Sequence, residues 1–90
     1  MLTNDESILI CAVRYALGRM SYMVNIVCEY VASKCTELSD QCINIIIRDI
    51  EDEIAMCHKV GRTCGMACDE REWLNLLGKL GEEHGRRKEA

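Results

Sequence analysis

DQCINIIIRDIEDEIAMCHK, residues 40–59, decides the fold. Ile43, Ile46, Ile47, Ile50, Ile54 and Cys57 fall at i, +3, +4, +7, +11 and +14, the recurrence of one face of an α-helix. Asp49, Glu51, Asp52 and Glu53 largely occupy the other face. Ser39 in front suits an N-cap, Asp40 complements the positive end of the helix, and Gly61 suits the cap after His58 and Lys59. Such a helix must bury its isoleucine face against apolar surface from elsewhere in the chain.

The segments on either side supply that surface. Upstream, Met20, Met23, Val24, Val27 and Val31 follow helical spacing, with Tyr22, Ile26 and Tyr30 on a second face. This gives a helix over 22–34, joined to residue 40 by the connector CTELS. Further upstream, Thr3 with Glu6 forms a capping-box pattern ahead of the apolar run Ile8–Val13. A helix over 5–17 would be apolar on nearly all sides and therefore central. RYALGRMSY, residues 14–22, then reads as a joint: Gly18 closes one helix in a left-handed cap and Ser21 opens the next. One unbroken helix through Gly18 is the alternative, at a cost of about 1 kcal/mol relative to alanine.

Downstream, VGRTCGMAC at 60–68 is a Gly-rich connection. Asp69 with Glu72 repeats the cap-and-acid pattern, and Trp73, Leu74, Leu76, Leu77 and Leu80 predict a helix over 70–80 ended by Gly81. The architecture expected is all-α: a compact bundle of four helices (5–17, 22–34, 40–59, 70–80) in one domain over 1–81. EEHGRRKEA, residues 82–90, is expected as a charged, frayed tail.

Composition narrows the class. Of the 90 residues 49% are hydrophobic, a high share for a domain that buries only roughly 60–65% of its unfolded surface. Part of that excess is expected to be covered by a second copy of the chain or by a partner, with a homo-oligomer expected. The net charge of −4 argues against a direct grip on nucleic-acid phosphates. The longest early apolar run, Ile8–Val13, is far short of the roughly 20 residues that span a membrane. MLTNDES lacks the basic and apolar regions of a secretory leader, so a cytoplasmic protein with reduced thiols is expected. The seven cysteines are an odd number and read mainly as small apolar core residues.

Three residue sets carry candidate chemistry. Arg14, Tyr15, Arg19 and Tyr22 would suit an anionic ligand, because a guanidinium fork pairs with phosphate while a phenol ring stacks. The plainer reading has Arg14 paired with Glu29 or Asp49 and the tyrosines packed. Asp49, Glu51, Asp52 and Glu53 are a solvated face, or else an acidic docking surface that imitates phosphates toward a basic protein. Cys57, Cys64 and Cys68 are weak zinc candidates, since C-x6-C and C-x3-C match no zinc knuckle. No cofactor is expected. A helix-turn-helix over 10–29 has the right length, but its recognition helix, Tyr22 to Tyr30, holds no basic residue. No Ser-His-Asp set, Cys-His set or phosphate-cradling loop supports catalysis, so a non-enzyme is expected.

RYALGRMSYMV at 14–24, LS at 38–39, IIRDIED at 46–52 and CDEREWLNLL at 68–77 together resemble a group of small proteins of phages and prophages of Gram-positive bacteria. The likeness spans nearly the whole chain and assigns no activity to particular residues. What it implies is a setting, the cytoplasm of a bacterial host. There, short acidic phage proteins resembling inhibitors of CRISPR-Cas nucleases disable host defence machines. The acidic helix face would then meet a Lys/Arg-lined channel of a host protein. The competing expectations are a helical oligomer that sequesters a cyclic nucleotide signal through Arg14, Tyr15, Arg19 and Tyr22, and a small regulatory DNA-binding or structural phage protein.

Overall fold

The computed structural model describes residues 2–17, 22–59 and 66–89, without the side chains of Tyr22, His58, residues 66–69 and Glu89. The described residues form helices α1 (Asn4–Leu17), α2 (Tyr22–Lys34), α3 (Asp40–Lys59) and α4 (Met66–Glu89), with a 3-10 turn at Cys35–Glu37. There is no strand among them, so the fold is all-α. Helices pack around a ring in the order α1, α2, α4, α3. Consecutive in sequence, α2 and α3 therefore sit across the diagonal of the bundle. α1 and α2 are separate helices packed together; the joint expected at Gly18, Arg19 and Ser21, and the cap at Gly61, lie outside the described residues.

Each helix contributes a stripe to one core. Leu9, Ile10, Val13, Ala16 and Leu17 come from α1, and Val24, Val27, Cys28 and Val31 from α2. Cys42, Ile43, Ile46, Ile50 and Cys57 come from α3, and Trp73, Leu76 and Leu80 from α4. Ile47 and Ile54, at the edge of the α3 stripe, are only partly buried.

Two buried carboxylates fasten the helix ends. Glu6 is 6% exposed, yet both of its oxygens are satisfied. Oε1 accepts from the Thr3 amide at 3.1 Å, and Oε2 accepts from the Ser39 amide at 2.7 Å. The Thr3 hydroxyl accepts from the Glu6 amide at 3.1 Å, completing the capping box read from the sequence. The Ser39 amide, then that of Thr3, holds the Glu6 carboxyl below its ordinary value. The Ser39 hydroxyl in turn accepts from the Cys42 amide at 3.2 Å, capping α3 as expected.

Glu83 is the second buried carboxylate, also 6% exposed, and it overturns the expectation of a frayed tail at 82–90. α4 does not stop at Gly81; it runs on to Glu89. Glu83 accepts from Arg86 at 2.6 Å and from Arg87 at 2.7 Å. Arg87 also donates to Asp40 at 2.7 Å and to the carbonyls of Cys35 (3.1 Å) and Thr36 (3.3 Å). Those carbonyls follow the end of α2, where helical partners run out, so a guanidinium satisfies them well. Charge at one end of the chain thus closes a helix end at its middle.

Arg86, then Arg87, holds the Glu83 carboxyl down at about 2 from an ordinary 4.5. A carboxylate depressed by folding stabilises the fold fully above the unfolded value, and that contribution is lost as pH falls toward the folded one. The midpoint of urea unfolding is therefore expected to drop between about pH 4.5 and 2, and Glu83→Gln to remove much of that drop while lowering stability at neutral pH. Deleting residues 82–90 is expected to lower the melting temperature, whereas loss of a frayed tail would leave it unchanged.

Candidate functional site

Helix geometry splits the acidic set into three residues and one. Successive residues on an α-helix are 100° apart, so Asp49, Asp52 and Glu53 share the flank of α3 that faces α1. Glu51 is exposed on the other side. With Arg14, Leu17 and Met56, the three acids line a groove of about 350 Å³ between α1 and α3. Met56 at its end is 59% exposed. The sequence reading passes over Met56 and Leu17, although positions 49, 52, 53 and 56 show the i, +3, +4, +7 spacing of one face.

Arg14 enters this groove as the partner of an acid. Its Nε donates to Oδ2 of Asp49 at 2.7 Å, the pairing that the plainer reading allows. The side chains are 59% and 20% exposed, so the pair orients both groups more than it stabilises the fold. Tyr15, one residue on, points to a different face and is half exposed. Arg14 and Tyr15 do not converge, and Arg19 and the Tyr22 side chain lie outside the described residues. With Asp49 held by Arg14, Asp52 and Glu53 are the other acids of the groove, and among the described residues no ion pair reaches either one.

A larger groove of about 420 Å³ lies between α2 and α4. It sets Glu29 and Glu72 against Lys79 around Cys28, Ala32 and Leu76, and so presents mixed charge. The α1–α3 groove sets three acids against one arginine, and a groove of about 260 Å³ between α1 and α2 likewise sets Asp5, Glu6 and Glu37 against Lys34. The would-be recognition helix α2 buries Val24, Val27, Cys28 and Val31, and its one basic residue, Lys34, lies 3.7 Å from Glu37.

Cys28, Cys42 and Cys57 are buried, Cys35 is half-buried and Cys11 is exposed. Burial, with the nearby Glu6 charge, pushes the Cys42 thiol up to about 11, which makes it a poor nucleophile. Among the described residues no three His, Cys, Asp or Glu side chains converge as a metal site requires. The weak zinc candidates are not placed together: Cys57 is in the core, and Cys64 and the Cys68 side chain lie outside the described residues. No described helix is long and apolar enough to cross a membrane. Comparison of the chain with family models, curated proteins and solved structures found no match.

Proposed function

We propose that this chain is a non-enzymatic binding protein that inhibits a host defence machine, docking the acidic flank of α3 against a Lys/Arg-lined surface. The observation that carries this reading is the α1–α3 groove, which surrounds the exposed Met56 side chain with Asp49, Asp52 and Glu53. Carboxylates give such a surface its choice of a basic partner and its rate of encounter. A flexible thioether gives it an apolar anchor that adapts to the partner's shape. The narrower form of the proposal, an RNA-guided nuclease whose nucleic-acid channel is blocked, rests on the resemblance to phage proteins.

Asp52→Lys with Glu53→Lys is the cleanest test, because both side chains line the groove and neither holds Arg14. Wild-type protein is expected to capture a host protein from bacterial lysate and to inhibit its nuclease activity. The double variant is expected to lose both at physiological salt. Capture and inhibition that survive the reversal, or that do not weaken as salt rises, sink the acidic-flank proposal.

A further inference from the structure

We infer that two copies of this chain pair through the outer face of the α1–α2 hairpin, with Ile8, Tyr15, Ile26 and Tyr30 at the centre of the contact. These four are exposed by 67%, 53%, 56% and 53%, in a chain whose other described apolar side chains are mostly inside. Ile8 and Tyr15 are two turns apart on α1, and Ile26 and Tyr30 one turn apart on α2, so each pair shares a helix face. Tyr30 joins Asp5 and Leu9 in lining the cleft between the two helices. Ile8 lies one turn along from Asp5, which brings the apolar side chains of both helices onto one surface.

Charge sets this face apart. Of the charged side chains on α1 and α2, Glu6 is buried, Arg14 turns to Asp49 and Lys34 lies beside Glu37. Lys34 and Glu37 line the same cleft as Tyr30 and offset one another, which leaves Asp5 and Glu29. The outer surfaces of α3 and α4, by contrast, carry a charge in nearly every turn. Depletion of charge with enrichment of tyrosine is the compositional mark of the buried centre of an interface. Two chains of net charge −4 repel through most of their surface, so self-association must use a neutral face. A two-fold axis brings identical patches together, and this patch has little charge to set against itself.

The acidic groove on the α3 flank of α1 stays open in such a dimer, so pairing and partner capture are separable.

Sedimentation equilibrium over a concentration series tests the pairing. The wild-type protein is expected at twice 10.2 kDa, and raising the salt is not expected to dissociate it. Ile26→Lys with Tyr30→Lys, and separately Ile8→Lys, are expected to weaken the dimer at least about 30-fold, as loss of a central anchor does. Both should keep the wild-type helical circular dichroism, since the replaced side chains are more than half exposed. Leu74→Lys, on the outer face of α4, is expected to leave the dimer intact. A wild-type monomer throughout the series overturns the inference. So does a dimer that survives both α1–α2 variants, or one that Leu74→Lys dissociates.

Discussion

Trp73→Ala is expected to cost about 3–5 kcal/mol, the usual price of emptying a core site of its largest side chain. A 90-residue domain is stable by roughly 5–13 kcal/mol in total, so the variant keeps roughly half to two-thirds of a mid-range stability. Trp73 is 1% exposed and belongs to the same core as Val24, Ile46 and Ile50, drawn from three helices. Few neighbours can collapse into so large a void without shifting a whole helix. Urea unfolding followed by circular dichroism reads the loss, since the only tryptophan is removed with the mutation. Leu74→Ala, one residue on and 51% exposed, is expected to change stability by no more than about 0.5 kcal/mol. Similar effects at the two positions would mean that α4 is rotated relative to the bundle described here.

Replacing Gly78, Gly81 and Gly85 together by alanine is expected to have nearly as large an effect in the opposite direction. All three lie inside α4 on its exposed side, and a β-carbon added at any of them meets nothing within 4 Å. Glycine in a helix interior costs about 0.5–1 kcal/mol relative to alanine, through backbone freedom lost on folding. The triple variant is therefore expected to gain roughly 1.5–3 kcal/mol and to melt about 6–24 °C higher. Differential scanning calorimetry checks this. An unchanged or lower melting temperature would show that α4 does not run continuously through these glycines.

These glycines also show where the sequence misleads. Glycine after a run of helical spacing is the usual sign of a helix end, so Gly81 reads as a stop. α4 continues because its inner side does: Leu80, Glu83 and Arg87 follow one another at i, +3 and +7, and Arg87 finds Asp40, 47 residues away in sequence. No local window contains that partner. The isoleucine ladder of α3 and the Ser39 cap are local, and α3 begins at Asp40, where the cap puts it. α2 is equally legible, and α1 begins at its capping box. For the site, the acids of α3 can be read as a set. Which of them face α1 depends on where the bundle places α3, and the companionship of Met56 and Leu17 depends on the packing of two helices.

The double duty of Glu6 makes one position unusually strict. An ordinary capping box takes glutamate or glutamine alike, since one carbonyl oxygen suffices to accept from the N-cap amide. Here each oxygen of the side chain serves a different amide, at Thr3 and at Ser39. Glutamine offers one acceptor and turns an NH₂ toward the other amide, donor against donor. Aspartate has the oxygens but falls a methylene short. Among natural side chains only glutamate fits both amides, so a residue that looks interchangeable within its own helix is fixed by a turn 33 residues further along.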